Sequence, residues 1–210
     1  MKALGFGAIV WDEIPETLFG SDSAQERRCR KVLGGAVLNV LANLSRLSCE
    51  AHMVSAVGAD PSGEEMLAAT ARTGVCTDLV RAVAAPTCIV RVEFADNGEP
   101  SYILDSDVSW DHINVTSADL ESINRQGIEF LCFGTIEQRS PESRRSLRRV
   151  LEQGQCGAKY FDVNFRVPFY SRDVVEYSLD RSDIAKMNED AAKRRRVSCH
   201  GLPAGSCRNP

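Results

Sequence analysis

Apolar residues occur along the chain either in short continuous runs, typical of buried strands, or at the three- and four-residue spacing of one helix face. The runs predict strands at residues 4–11, 52–57, 128–133, 159–163 and 183–187. The spaced positions predict helices that begin after Gly34-Gly35 and at 61–71, 116–125, 141–153 and 172–179. Strands that alternate with helices of this length require right-handed crossovers between parallel strands. The predicted fold class is therefore α/β, with a doubly wound, mainly parallel sheet and helices on both of its faces.

Two of the predicted helices carry clear signals at their ends. The first follows a glycine pair, and its predicted apolar face consists of Val37, Val40, Leu41, Leu44 and Leu47. The second has Asp60 as its predicted N-cap, Pro61 in its first turn and Gly74 as the residue that closes it.

A hairpin interrupts the alternation of strands and helices. Residues 87–94 and 101–104 are β-prone, and Asp96-Asn97-Gly98 between them is a tight-turn signal. Because such a hairpin is antiparallel, we expect it to stand apart from the parallel sheet, over one of its edges.

Composition places the chain among ordinary globular proteins, with 43% apolar and 26% charged residues among 210. No apolar run approaches the roughly 18 residues that span a bilayer. Asp12 and Glu13 come too early for a secretory leader, so a cytoplasmic protein is predicted. The eight cysteines lack zinc-ligand spacing, and we interpret them as reduced thiols.

The net charge of −4 is unevenly distributed. Residues 193–210 carry five basic residues and no acidic one, which indicates either a basic disordered tail or a stretch translated out of frame. The acidic remainder argues against nucleic-acid binding, which needs a basic face. A basic strip on one predicted helix is interpreted as a solvated face rather than a polyanion site; it consists of Arg144, Arg145, Arg148 and Arg149.

Polar residues follow several of the predicted strands, where ligands bind in open α/β sheets. They are Asp12, then Gly34, Gly35 and Asn39, then Glu137 and Arg139, and finally Asp162, Asn164 and Arg166. Each also has a structural explanation as a turn cap or a close-packing glycine. Together they indicate a pocket for a polyhydroxylated ligand, because hydroxyl groups need rigidly held donors and acceptors.

Several of these segments resemble, in order along the chain, the motifs of the ribokinase/PfkB family of sugar kinases. Residues 33–39 (LGGAVLN) and 54–63 (VSAVGADPSG) resemble its N-terminal signature. The fructokinase-like branch is resembled by residues 7–12 (GAIVWD), 108–111 (VSWD), 133–141 (FGTIEQRSP) and 161–170 (FDVNFRVPFY).

The resemblance implies an α/β domain over residues 1–192 with a small β lid, built from about 12–33 and 87–105, and transfer of the ATP γ-phosphoryl group to a sugar hydroxyl. The sugar site would contain Asp12, Gly34, Gly35, Asn39, Arg139, Asn164 and Arg166. Lys186 and Asn188 would lie near the nucleotide phosphates and Mg²⁺. Trp110 would pack either against a sugar face or in the core of the lid. The lid edge would also allow a homodimer.

The sequence departs from the family at two motifs. Ala191 stands where the Asn-x-x-Glu motif that starts at Asn188 needs glutamate, and Gly-Ala-Gly-Asp, which supplies the anion hole and the catalytic base, is absent. No catalytic residue and no metal ligand is therefore assigned. We expect the N-terminal portion of a fructokinase-like enzyme, truncated near residue 192 and inactive by itself. The alternative is a non-catalytic sugar-binding or dimerising module.

Overall fold

The computed structural model describes residues 1–15, 29–94, 100–166 and 168–189. Its strands are Lys2–Phe6 (β1), Val10–Pro15 (β2), Cys29–Gly34 (β3), Glu50–Gly58 (β4), Val75–Val83 (β5), Ile89–Phe94 (β6), Pro100–Ile103 (β7), Phe130–Gly134 (β8), Ala158–Val163 (β9) and Ile184–Met187 (β10). Its α-helices are Ala36–Arg46 (α1), Pro61–Arg72 (α2), Ser117–Gln126 (α3), Pro141–Gln153 (α4) and Arg172–Asp180 (α5). Short 3₁₀ turns cover Ser109–His112 and Ile136–Arg139.

The larger sheet has six parallel strands in the order β10-β9-β8-β1-β4-β5. Each face carries its own apolar cluster. One cluster joins Phe133 and Phe161 of the sheet to Leu147 of α4, and the other joins Met53 to Leu41 of α1 and Met66 of α2. The predicted doubly wound α/β fold with helices on both faces is confirmed.

The predicted strand at 4–11 is wrong in one respect, because it is two strands in different sheets. β1 lies at the centre of the parallel sheet, whereas β2 belongs to a second sheet. The chain leaves the first sheet at Gly7, whose carbonyl accepts a hydrogen bond from Ser55 Oγ at 2.7 Å. A side chain at Gly7 would come within 2.8 Å of Val37. Residues 4–11 are buried throughout, so the apolar run does not reveal where the chain changes sheets.

The second sheet has the order β3-β2-β6-β7. The β6–β7 hairpin is antiparallel as predicted and stands apart from the parallel sheet, while β2 pairs with β6 in parallel and with β3 in antiparallel orientation. The predicted turn at 96–98, residues 16–28 and the tail at 193–210 lie outside the described residues. The roles of this sheet as a lid and as a dimer interface stay predictions.

Local signals are mostly confirmed. Asp60 caps α2 by accepting a hydrogen bond from Gly63 N at 2.8 Å, and Gly74 has the positive φ of 85° expected where that helix closes. The apolar face of α1 differs, because Leu38 is buried whereas Leu47 lies beyond the helix and is 74% exposed. Strand β5 was not predicted.

The basic strip on α4 makes contacts within the protein. Arg144 Nε donates to the Gln138 carbonyl at 2.7 Å, Arg148 lies over the Tyr177 ring, and Arg149 donates to the Val115 carbonyl. Arg144, Arg148 and Arg149 are thus half-buried and held by the protein, so the predicted solvated face is confirmed only for the exposed Arg145. Within the described ranges, no cysteine forms a disulfide, and no helix is both long and apolar enough to cross a membrane.

Candidate sugar-binding site

A cavity of about 520 Å³ lies where the carboxyl ends of β1, β8 and β9 face the second sheet. The start of α1 forms its floor, and the segment after β9 forms one side. Its polar lining consists of Asp12, Gly35, Asn39, Asn164 and Arg166. Its apolar lining consists of Ala8, Val10, Ala36, Val90, Leu104, Trp110, Ile136, Phe165 and Phe169. Six of the eight residues predicted to bind sugar therefore line one cavity.

Asp12 enters this cavity from β2. Burial raises the pKa of its carboxyl group, and the positive charge of Arg166 opposes the rise. The carboxylate has room only because β3 places Gly34 beside it, where a Cβ atom would come within 2.3 Å of Asp12 Oδ2. Gly34 thus contributes to the site through its missing side chain, although it does not itself line the cavity.

Gly35 positions the first turn of α1 against the cavity. Its φ of 124° is a conformation that residues with a side chain rarely adopt, and a Cβ atom there would come within 2.3 Å of the Ala8 carbonyl oxygen. The Gly35 carbonyl accepts the amide of Asn39 at 2.9 Å, which begins the helix and brings Asn39 to the cavity.

Asn164 and Arg166 follow the end of β9. The amide of Asn164 donates to the Asp162 carbonyl at 2.9 Å, so the chain turns tightly as it leaves the sheet. This turn brings both residues to the cavity wall. Their position at this edge of the sheet was predictable from the sequence, because they directly follow a predicted strand.

Trp110 combines features of both interpretations that the sequence left open. Its side chain is fully buried in an apolar cluster of the parallel sheet, and it also lines the cavity. It belongs to the turn at Ser109–His112 and not to the second sheet.

The structure does not bring Arg139 into the cavity with Asp12. Arg139 lies in an adjacent cavity of about 530 Å³ and pairs with Asp111 through its Nε and Nη2 atoms, at 2.8 and 2.7 Å. Only 10% of its side chain is exposed.

Comparison with known proteins assigns this chain to a family. The model of the pfkB family carbohydrate kinases matches residues 4–200. The chain belongs to that family. The resemblance deduced from the motifs is thereby confirmed.

Individual pfkB relatives agree with this assignment. A sugar kinase of Pyrococcus horikoshii is 29% identical over 201 residues, which are 89% of this chain and 63% of that protein. A fructokinase of Vibrio alginolyticus is 28% identical over 192 residues, covering 88% of this chain and 59% of that protein. The structure of a fructokinase from Xylella fastidiosa with bound ATP superimposes with a TM-score of 0.81 at 19% identity, over 94% of this chain and 64% of that one. The chain thus spans about three fifths of the length of these curated relatives.

The two residues predicted to lie near ATP, Lys186 and Asn188, are in β10 and just after it, outside the cavity that Asp12 lines. Lys186 belongs to the edge strand β10, and its Nζ lies 3.0 Å from Asp162 Oδ1. The Lys186 side chain is 57% exposed, and Asn188, the first residue after β10, is also exposed. The described residues contain no group of three or more His, Cys, Asp or Glu that could hold a metal ion.

Glu137 lies close to the cavity but does not line it. Its carboxyl group is buried and accepts a hydrogen bond from Gly134 N at 2.6 Å. Burial raises the pKa of Glu137 to about 7, and the charge of Asp162 adds to the rise. The sequence marked Glu137 and Asp162 as following strands, but it did not show that both are buried.

Sequence reasoning missed the apolar wall and the partner of Arg139. Val90, Leu104 and Phe169 are cavity residues, yet in a sequence they look like ordinary core positions. Asp111 lies in a quoted motif, although nothing in its spacing marks a pair with a residue 28 positions away. Only the place of Asp111 within the motif at 108–111 could have suggested a role for it.

Proposed function

We propose that this chain forms the sugar-binding part of an ATP-dependent sugar kinase, which phosphorylates a sugar hydroxyl as a fructokinase does. One observation carries the proposal: three separate parts of the chain bring Asp12, Gly35, Asn39, Asn164 and Arg166 to one cavity.

The chemistry of the lining suits a polyhydroxylated ligand. A carboxylate accepts hydrogen bonds from two neighbouring hydroxyl groups, and the amides of Asn39 and Asn164 can both donate and accept. Arg166 adds fixed donors, and the apolar residues opposite keep water away from the bound ligand. Phosphoryl transfer depends mainly on positioning and charge stabilisation, and such a cavity supplies the positioning.

The nucleotide is proposed to bind near Lys186 and Asn188. The half-exposed ammonium group of Lys186 at the carboxyl end of the sheet suits a polyphosphate. A structure of the Pyrococcus horikoshii sugar kinase is described as a complex with ATP. When bound, ATP would supply the phosphoryl group, with Mg²⁺ as the metal that the family resemblance implies. Because Gly-Ala-Gly-Asp is absent from the 210 residues, we propose that the chain by itself binds sugar without phosphorylating it.

Replacing Asp12 by asparagine tests the sugar site. The change keeps the size of the side chain and removes the charge, so hydrogen bonds from sugar hydroxyls become weaker. Hydrogen bonds to a charged group contribute about 1.5–3 kcal/mol, and we expect the Kd for fructose to rise roughly 100-fold. Isothermal titration of the 210-residue chain measures it.

Glu13→Gln is the matched control, because Glu13 is the next residue on β2 and points to the opposite face of the strand. It should leave the Kd unchanged. Equal affinity of the Asp12 variant and the unchanged chain, or no fructose binding at millimolar concentration, would contradict the proposed site. Incubation of the same chain with ATP, Mg²⁺ and fructose tests the proposed lack of phosphorylation: fructose binding without sugar phosphate is the expected result, and formation of sugar phosphate would contradict it.

A further inference from the structure

Two of the three nitrogen atoms in the guanidinium group of Arg139 donate hydrogen bonds within the protein. Asp111 accepts from Nε and Nη2, and the Asp105 carbonyl accepts from Nη2 at 2.7 Å. Asp111 is itself fixed in place, because its Oδ2 accepts a hydrogen bond from the backbone amide of Val108 at 3.1 Å. The ion pair is nearly buried, with 10% and 8% of the two side chains exposed. The third nitrogen, Nη1, is also buried and has no hydrogen-bond partner among the described residues, so Nε and Nη2 alone hold the group in place.

The same guanidinium group contacts two aromatic rings. Its Cζ atom lies over the Trp110 ring at 4.1 Å from the centroid and over the Phe169 ring at 4.8 Å. Cations within about 6 Å of a ring centroid are attracted to the ring face, more strongly where water is excluded. Arginine suits this position because its flat group can pair with a carboxylate and stack on rings at the same time.

Both rings line the sugar cavity, whereas Arg139 does not. Trp110 comes from the turn at Ser109–His112 and Phe169 from the segment after β9. The Arg139 side chain therefore connects two parts of the apolar wall that are 59 residues apart in the sequence.

We propose that Arg139 is a positioning residue that, held by Asp111, fixes Trp110 and Phe169 as the apolar wall of the sugar cavity. This inference rests on the proposed sugar-binding function and replaces the direct sugar contact predicted for Arg139. A wall held in place before the ligand arrives lowers the entropic cost of ordering it on binding. Sugar affinity should thus depend on Arg139 through the two rings.

The test uses the 210-residue chain with Trp11→Phe, which leaves Trp110 as its one tryptophan. Arg139→Lys keeps the charge but removes the flat paired group. We expect acrylamide to quench Trp110 fluorescence more strongly, and the Kd for fructose to rise about tenfold. Arg145→Lys, at an exposed position of α4, is the control and should change neither value. Unchanged quenching in Arg139→Lys would overturn the proposal.

A double-mutant cycle separates positioning from direct contact. Phe169→Leu should raise the Kd about tenfold as well, and Phe169→Tyr, which keeps the ring, should restore it. If Arg139 acts through Phe169, the double variant Arg139→Lys/Phe169→Leu binds no more weakly than either single variant. Multiplied losses, about 100-fold, with unchanged quenching of Trp110 would show that Arg139 contacts the sugar itself and would overturn the proposal. Multiplied losses with increased quenching would show that Arg139 acts through Trp110 as well, as proposed.

Two further outcomes are distinguishable. If the unchanged chain binds no fructose, the proposed function fails, and the quenching of Trp110 alone decides whether Arg139 holds the wall. If Arg139→Lys does not fold, as judged by circular dichroism, increased quenching in Phe169→Leu but not in Phe169→Tyr supports the proposal, and equal quenching in the two contradicts it.

Discussion

Replacing Gly35 by alanine is expected to abolish measurable sugar binding and to lower the free energy of unfolding by about 4 kcal/mol. The backbone has a φ of 124°, which strains any residue with a side chain, and the new methyl group would lie 2.3 Å from the Ala8 carbonyl oxygen. Relief requires moving Ala8 or the first turn of α1, and both belong to the cavity. Thermal unfolding should show a drop of roughly 8–16 °C for a chain of this size.

Gly127→Ala is the matched control for this prediction. Gly127 also has a positive φ, 66°, but no atom lies within 4 Å of the position of a Cβ atom. The Gly127→Ala substitution should lower the free energy of unfolding only by the backbone strain, about 1–2 kcal/mol, and leave sugar binding intact. Equal effects of the two substitutions would mean that strain alone, and not the collision at the cavity, determines the role of Gly35.

Replacing Glu137 by glutamine is expected to remove a pH-dependent loss of stability of about 3 kcal/mol. Burial raises the pKa of this carboxyl group from 4.5 to about 7 in the folded chain. Below pH 4.5 the group is protonated in both folded and unfolded chains. As the pH rises towards 7, the unfolded chain gives up this proton while the folded chain keeps it, so folding becomes less favourable. Above about pH 7 the loss is complete.

Glutamine retains the oxygen that accepts the Gly134 amide, so the hydrogen bond at 2.6 Å can persist. Urea unfolding between pH 4 and 8 measures both chains, and the difference between the two profiles isolates this group. We expect the variant to gain about 3 kcal/mol relative to the unchanged chain between pH 4.5 and 7.5. Glu121→Gln, at a largely exposed position of α3, should give a flat difference. A flat difference for Glu137→Gln as well would contradict a raised pKa.

Much of the fold was predictable because its local signals agree with its long-range order. The capping side chain of Asp60 and the positive φ of Gly74 lie where residue type alone places them. The alternation of strands and helices leads to a parallel sheet, because each helix carries the chain back to the end of the sheet where the previous strand began. The divided strand at 4–11 shows one limit, because consecutive buried residues from two strands produce one apolar run. The undetected strand β5 shows another, because its buried and exposed positions do not alternate regularly.

Some residues of the site could be located from the sequence, and others only from the folded arrangement. Ligands bind beyond the carboxyl ends of parallel strands, so position after a strand sufficed to find Asn164 and Arg166, whereas Asp12 reaches the cavity from within β2 of the second sheet. The sequence thereby determined the family, the sheet and the polar side of the cavity. Only the tertiary structure shows that Arg139 contacts Asp111 and two aromatic rings and that Glu137 is buried. It also shows that Phe169 lines the cavity instead of packing in the core. The physical reason is that burial and pairing depend on residues distant in the sequence, whose approach is set by the packing of whole elements and not by any local pattern.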